Sequence, residues 1–285
     1  MAKCFTGDFE IVAFYASYHG LTQGSGSAAY SAGHKNGEPV VPGQTSFPAP
    51  YPYRSVFRKP DGLLEAYGEE CKKRGMLVIM DEAQTGVGRT GQMFVFEHDE
   101  LVPDILCLSK TLSRGLPLAS VTTTAEIERG CRQAGLLWLT THLNDPLTGA
   151  VGERVLEIVE RDNIPQKATE RSAKLRDGLL RLQEKYWCIG EVRGRGLFQA
   201  IEIISDAETK TPGPELGQAV SDRALQLGLS CNAVNLPGMG CVFRLAPPVT
   251  VTREEIDAGL ALLDQAFQQV LEERGLFSKL GQKKN

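Results

Sequence analysis

The stretch MLVIMDEAQTGVGRTG at residues 76–91, followed by ILCLSK at residues 105–110, decides how this 285-residue chain folds. Each stretch opens on a continuous apolar run and continues into polar residues, with Asp81 after the first run and Lys110 after the second. Continuous apolar runs of this length are typical of strands buried on both faces of a parallel sheet. Because ligands bind beyond the carboxyl ends of such strands, Asp81 and Lys110 are candidate site residues.

Around these two runs, predicted strands and helices alternate along the first half of the chain. A long Gly- and Pro-rich stretch, residues 20–60, is predicted to be irregular. We expect further strands at 10–15, 119–124 and 136–139, and helices at 63–74, 125–133, 146–161 and 166–186.

From residue 189 the pattern changes to a hairpin, short strands and two helices, the last one capped by Thr252 and Glu255. The sequence therefore predicts an α/β large domain with a mostly parallel sheet at residues 1–150, and a smaller α+β domain at residues 151–285.

Charge and cysteine content narrow the class of protein. The formal net charge is −4, which disfavours nucleic acid as a partner because nucleic-acid-binding proteins carry basic patches. The seven cysteines are scattered without a Cys-x-x-Cys pair, which fits neither a disulfide framework nor a zinc site. No apolar run is long enough to span a bilayer, and no secretory leader is recognisable. We therefore expect a cytoplasmic protein without nucleic-acid or membrane partners.

Asp81 and Lys110 allow two interpretations from their positions alone. An acid and a lysine at neighbouring strand ends can form a structural salt bridge. Alternatively, a lysine shielded from water acts as a nucleophile toward a carbonyl group. Pyridoxal phosphate needs such a lysine, and it also needs a carboxylate that keeps its pyridine nitrogen protonated.

Taken together, residues 77–91, 103–106 and 109–110 resemble the signature of the class III aminotransferases, a family of pyridoxal-phosphate enzymes. The resemblance extends from about residue 8 to about residue 272 and implies fold type I of these transferases. Four further segments are most similar to the 2,2-dialkylglycine decarboxylase branch, which decarboxylates a dialkylglycine and then transaminates pyruvate. These segments are TTHLNDP at 140–146, RGRGL at 193–197, LPGMG at 236–240 and FRLAPP at 243–248.

The resemblance implies roles for four residues that would contact the cofactor. Lys110 would hold it as a Schiff base and then move protons, and Asp81 would pair with the pyridine nitrogen. Gln84 would hydrogen-bond the phenolic oxygen, and the ring of Tyr18 would stack on the cofactor. His19, in the same Tyr-His-Gly motif, is expected to be structural rather than catalytic.

Further implied roles concern the substrate, a partner subunit and an ion. Arg244 would bind the carboxylate of an amino acid or 2-oxo acid substrate. Thr141 would reach the cofactor phosphate of a second subunit, which implies a homodimer with shared active sites. Thr141, Leu143 and Asp145 resemble part of a K⁺ or Na⁺ site, although a turn cap at Asp145 explains the pattern equally well.

The chain also departs from the family. No counterpart is present for the upstream region that binds the cofactor phosphate, nor for a central strand expected between Arg54 and Asp81, where residues 58–62 lead straight into a helix. We therefore expect the large domain to be incomplete. Three readings remain open: a 2,2-dialkylglycine decarboxylase type of enzyme, an ω-amino acid or ornithine type of transaminase, and a non-catalytic remnant.

Overall fold

The computed structural model describes residues 1–29, 40–54, 63–236 and 240–277. The backbone divides into two compact units, Met1–Pro165 and Gln166–Asn285. The expected boundary at residue 150 falls inside a helix, Pro146–Arg161, that belongs wholly to the first unit. Two sequence features lie outside the described residues, the 58–62 segment and the Pro-Gly-Met stretch at 237–239.

The first unit is an α/β assembly, as predicted. Its helices and strands are α1 (Ala2–Thr6), β1 (Ile11–Phe14), α2 (Gln23–Ala28), β2 (Gln44–Phe47), α3 (Leu63–Lys73), β3 (Ile79–Asp81), β4 (Ile105–Leu108), β5 (Ser120–Thr123), α4 (Ala125–Gln133) and α5 (Pro146–Arg161). β1 and β2 form a parallel pair, and a separate sheet has the order β3-β4-β5. β3 runs parallel to β4, whereas β5 runs antiparallel to it.

The position of β3 differs from the prediction. The apolar run at 76–80 indicated a strand buried on both faces, but β3 is short and lies at the edge of its sheet. The side chain of Ile79 is 43% exposed as a result. Met76 and Ile79 of this run are exposed and the other three residues are partly exposed, and no described strand pairs with the outer edge of β3.

Two other predicted features of the first unit were wrong. Residues 136–139 form no strand, and Trp138 among them is 65% exposed, because no described strand pairs with this segment. The stretch at 20–60 is not wholly irregular, since it contains both α2 and β2. The parallel partner β1 stabilises β2, and a short-range sequence pattern does not reveal such a partner.

The second unit is an α+β assembly, also as predicted. It contains most of α6 (Ile164–Lys185), then β6 (Ile189–Arg195), β7 (Phe198–Ile203), α7 (Pro214–Gln226), β8 (Ala233–Leu236), β9 (Gly240–Leu245) and α8 (Arg253–Glu273). The antiparallel sheet has the order β6-β7-β9-β8. The predicted capping box of Thr252 and Glu255 is present at the start of α8.

Aromatic packing and a polar network hold α6, α8 and the sheet of this unit together. The rings of Tyr186 and Phe267 stack with centroids 5.2 Å apart, and Phe243 from β9 lies 6.4 Å from Phe267. The buried Tyr186 hydroxyl and the Lys185 ammonium both donate to Asp264 of α8. Burial and the Asp264 carboxylate raise the pKa of Tyr186 well above its usual value. No described helix has both the length and the apolar character needed to cross a bilayer.

The arginine of the RGRGL segment has a structural partner. Arg193 Nη1 lies 2.9 Å from an oxygen of Glu202, whose side chain is fully buried, and 2.6 Å from an oxygen of Glu191. Burial raises the pKa of Glu202 to about 7, and the positive charge of Lys210 opposes that rise. A buried carboxylate needs such partners, so Arg193 contributes to the stability of the β6–β7 pair.

Candidate active site

β3 and β4 bring Asp81 and Lys110 to the same edge of the sheet. Asp81 ends β3 and pairs in register with Cys107 of β4, and Lys110 follows β4 by two residues. The positive charge of Lys110 contributes to a lowered pKa of Asp81, so the two groups lie within electrostatic reach of each other. The structure therefore bears out the expectation that these two strand ends meet.

The direct partner of Asp81 is His19. Its Nδ1 lies 2.7 Å from Asp81 Oδ2, and the Ala83 N–H donates to Oδ1 over 3.2 Å. The hydrogen bond from His19 is the largest cause of the lowered pKa of Asp81. Burial opposes it, and the Ala83 N–H and Lys110 add to it. An ionised carboxylate can only accept, so His19 donates through Nδ1. Asp81 is thus held as an anion.

His19 was missed as a site residue in the sequence. It follows β1, and 62 positions separate it from Asp81, so no local pattern links the two residues. The only signal was its place in the Tyr-His-Gly motif. The structural role expected for His19 is consistent with this contact, but its partner became evident only from the fold.

Lys110 stands on a strained backbone. Its φ is +50°, in the left-handed region that side chains other than glycine rarely adopt, and such strain costs on the order of 1–3 kcal/mol. Lys110 opens a 3₁₀ turn that ends at the buried Leu112, and the Ser113 N–H donates to the Lys110 carbonyl. This turn and the buried β4 hold the conformation. Lys110 is exposed, so the shielding from water expected for a nucleophilic lysine is not provided by the described residues. Among the described residues Asp81 pairs with His19 rather than with Lys110.

Glu82 anchors the loop that follows Asp81. Its side chain is 2% exposed and accepts the N–H groups of Val95 at 2.7 Å and Phe96 at 3.2 Å. The Thr85 hydroxyl donates to the same carboxylate. Burial raises the pKa of Glu82, and these three hydrogen bonds oppose the rise. The sequence indicated a site role for Asp81 only, whereas the structure shows that the neighbouring Glu82 holds the loop in place.

The same loop carries Gln84. A β-carbon at Gly86 would stand 3.0 Å from the Glu82 carbonyl oxygen and 3.1 Å from Leu108 Cδ2, so glycine lets the loop pack closely against β4. Gln84 lies inside this turn, two residues before Gly86, and is partly exposed. The packing of this loop therefore determines where Gln84 lies in space.

Tyr18 lies next to His19 and is 52% exposed, so it does not pack in the core of the first unit. Thr141 and Leu143 are also exposed, in a turn that leads into α5. Asp145 caps that helix, because its Oδ1 accepts the Leu147 N–H at 3.2 Å. The capping role that the sequence left open for Asp145 is thus present in the structure.

Arg244 belongs to the second unit. It lies on β9 opposite Ala200 of β7, and its side chain is exposed while the neighbouring Phe243 is fully buried. The strand therefore presents the guanidinium group to solvent, where a ligand carboxylate can reach it.

These features define a class of protein: an α/β chain with an exposed lysine and a stabilised carboxylate at the ends of adjacent parallel strands. The sequence profile of the family described as "Aminotransferase class-III" matches residues 56–267. The chain belongs to this class III aminotransferase family.

Individual relatives agree with that assignment. An uncharacterized aminotransferase of Schizosaccharomyces pombe is 42% identical over 94% of this chain and 69% of its own length. A 4-aminobutyrate aminotransferase of Mycobacterium leprae is 37% identical, and the match covers 72% of this chain and 45% of that protein. The fold is also similar to that in the crystal structure of an ω-transaminase from Pseudomonas jessenii, with a TM-score of 0.87 at 24% identity over 94% of this chain and 69% of the other.

The match to the Schizosaccharomyces pombe protein also contains positions without a counterpart in this chain. The alignment runs over 310 residues, yet 94% of this 285-residue chain is only about 268 residues. About 42 aligned positions therefore have no residue in this chain.

We predict that His19→Ala raises the pKa of Asp81, because it removes the hydrogen bond that most stabilises the anion. The measurement is a pH titration of the Asp81 carboxyl carbon by NMR. His142→Ala is the matched control, since His142 also lies near a carboxylate, 3.5 Å from Asp145, and this change should leave Asp81 unaffected. An unchanged pKa of Asp81 in His19→Ala would contradict the assignment.

We further predict that Glu82→Ala lowers the free energy of unfolding by about 2–4 kcal/mol, because two buried N–H groups lose their acceptor. Glu82→Gln retains one acceptor oxygen and should lose less. Urea denaturation measures both, with Glu153→Ala, a change at an exposed position of α5, as control, where less than about 1 kcal/mol is expected. Equal losses for Glu82→Ala and Glu153→Ala would refute the anchoring role.

Proposed function

We propose that this chain binds pyridoxal phosphate through Lys110 and acts on amino acids and 2-oxo acids. The observation that carries the proposal is Asp81, which His19 holds as an anion 2.7 Å away and which lies within electrostatic reach of Lys110. Pyridoxal phosphate, when bound, supplies an electron sink for bond cleavage at the substrate Cα. A permanent carboxylate facing the protonated pyridine nitrogen is what that chemistry requires of the protein.

Each site residue has one task in this proposal. Lys110 attaches the cofactor covalently and afterwards carries a proton to or from the substrate Cα. Asp81 keeps the pyridine nitrogen protonated, and His19 keeps Asp81 ionised and oriented. The Gln84 amide donates to the phenolic oxygen, and the half-exposed ring of Tyr18 covers one face of the cofactor. The residues present thus fit the aldehyde and ring of pyridoxal phosphate.

For the substrate we favour the 2,2-dialkylglycine decarboxylase type, with pyruvate as amino acceptor. The support is the similarity of the segments at 140–146 and 236–240 to that branch. Arg244 binds the substrate carboxylate, for which its planar guanidinium is well suited. An ω-amino acid or ornithine type of transaminase is the alternative, and the relative in Mycobacterium leprae, a 4-aminobutyrate aminotransferase, favours it equally.

The proposal includes a homodimer in which Thr141 reaches the cofactor phosphate of the second subunit. Large apolar side chains are exposed on both sides of Thr141, and such an uncovered strip is typical of a surface that another chain buries. These residues are Leu137, Trp138, Leu139, Leu143 and Leu147. A second copy of the chain, applied by a twofold axis, is the simplest occupant.

An alkali ion and a reducing compartment complete the proposal. Thr141, Leu143 and Asp145 offer a hydroxyl, a main-chain carbonyl and a carboxylate, which are hard oxygen ligands suited to K⁺ or Na⁺. All seven cysteines are free, which agrees with the cytoplasm.

A second candidate is a non-catalytic remnant that only associates with a longer relative. The outer edge of β3, with which no described strand pairs, and the expected lack of a central strand motivate it. Unpaired backbone at the edge of a truncated sheet lowers stability, so the cofactor pocket need not be rigid enough for catalysis.

The first test asks whether the pocket forms. We predict that the purified chain with added pyridoxal phosphate gains a visible absorbance band, and that borohydride reduction followed by peptide mapping finds the label on Lys110. Lys110→Ala should abolish both signals, whereas Lys174→Ala, a change in a lysine paired with Asp257, should abolish neither. Random labelling of lysines, or no band, would favour the remnant.

The second test separates the two enzyme types. With 2-aminoisobutyrate and pyruvate, the decarboxylase type releases one carbon dioxide for each alanine formed. Arg244→Ala should raise KM for 2-aminoisobutyrate at least tenfold, because a charged hydrogen-bonded pair is lost. Transfer of the amino group from 4-aminobutyrate or ornithine without carbon dioxide would establish the alternative instead.

A further inference from the structure

Two cysteines far apart in sequence meet where α1 packs on α4. The Cys4 thiol points at the Cys131 carbonyl oxygen, with an S···O distance of 3.7 Å, and 127 positions separate the two residues. The Cys131 thiol points at the carbonyl oxygen of Met1, with an S···O distance of 3.4 Å, and Met1 lies one helical turn before Cys4. Each sulfur therefore lies against the backbone that carries the other.

The two thiols also interact with each other. Burial and then the Cys4 thiol are the leading causes of a raised pKa of Cys131. The helices come this close because residue 130 is a glycine, as a β-carbon there would stand 2.6 Å from the ring of Phe5. Phe5 packs over Gly130, and the neighbouring residues Cys4 and Cys131 face each other.

We propose that Cys4 and Cys131 form an intramolecular disulfide when the chain meets a low-molecular-weight disulfide such as oxidised glutathione. Cys4, which is partly exposed, attacks the glutathione disulfide as a thiolate and releases one glutathione. Cys131, which is buried, then attacks the Cys4 sulfur of the mixed disulfide and releases the second glutathione. The two protein thiols are oxidised, one glutathione disulfide is reduced, and the two protons end on the two glutathione thiols.

The bond would join parts of the first unit that no strand pairing connects in the described residues. α1 leads into β1, after which the chain reaches His19, whereas α4 follows β5 in the sheet that carries Lys110. The disulfide closes a loop of more than a hundred residues, and closing so long a loop strongly restricts the unfolded chain. The oxidised protein should therefore melt at a higher temperature, by roughly 5–10 °C.

The other described cysteines offer a matched comparison. Cys188 and Cys241 are fully buried, so they are out of reach of a soluble oxidant. Cys71 is partly exposed like Cys4, and burial together with Asp104 and Glu70 raises its pKa. Cys71→Ser is therefore the control that removes an accessible thiol but leaves the proposed pair intact.

The experiment treats the full chain with oxidised glutathione and measures intact mass, tryptic disulfide peptides and melting temperature before and after dithiothreitol. We expect the loss of two hydrogens per chain, a peptide pair that links Cys4 to Cys131, and the upward shift in melting temperature. Dithiothreitol should reverse all three changes. Cys71→Ser should behave like the parent chain, whereas Cys131→Ser should stop at a glutathione adduct on Cys4.

A glutathione adduct on Cys4 in the parent chain, without the linked peptide, would overturn the proposal. A link between two chains, or no reaction at Cys4, would overturn it equally. Reading out mass and linkage keeps the test independent of cofactor binding and of any enzymatic activity.

Discussion

The hydrogen bond between His19 and Asp81 is the contact on which the candidate site depends. His19 follows β1 of the β1–β2 pair, whereas Asp81 ends β3 in the other sheet, and no described strand joins these two sheets. A side-chain hydrogen bond therefore connects the two sheets, whereas main-chain hydrogen bonds connect neighbouring strands elsewhere in the chain. It is charge-assisted and short, which makes it stronger than a neutral hydrogen bond, and it also sets the ionisation of Asp81.

Packing supports this contact from two other directions. The rings of Phe14 from β1 and Phe47 from β2 lie 5.7 Å and 5.5 Å from Tyr67 of α3, the helix that leads into β3. On the other side, Phe5 of α1 packs over Gly130 of α4. In the described residues the β1–β2 pair is thus joined to α3 by aromatic packing and to the end of β3 by the His19–Asp81 hydrogen bond. Each is weaker than a continuous ladder of main-chain hydrogen bonds.

The sequence predicted those features that depend on neighbouring residues in the chain. The apolar runs placed Asp81 and Lys110 at neighbouring strand ends, and the capping pattern placed Thr252 correctly at the start of α8. It did not predict the partner of Asp81, because His19 is 62 positions away. Nor did it separate Glu82 from Asp81, since only the fold shows which of two adjacent acids points inward.

Burial was harder to predict than the type of element. A pattern of apolar residues indicates that a segment is suited to a buried position. It does not show whether other helices or strands cover that segment. The run at 76–80 is suited to a central strand, but Ile79 lies at an uncovered edge. The leucines and tryptophan at 137–139 read as a strand because they are apolar, yet they are exposed.

One of these mismatches lies in β3, the strand that also carries Asp81, but the supports of the site residues come from β4 and the following loops. The left-handed backbone of Lys110 is held by the buried β4 and the turn through Leu112, and the loop after Asp81 is held by Glu82. These supports are local to β3, β4 and the loops that follow them. Loss of a neighbouring strand therefore lowers the stability of the sheet before it disturbs the geometry of Asp81 and Lys110.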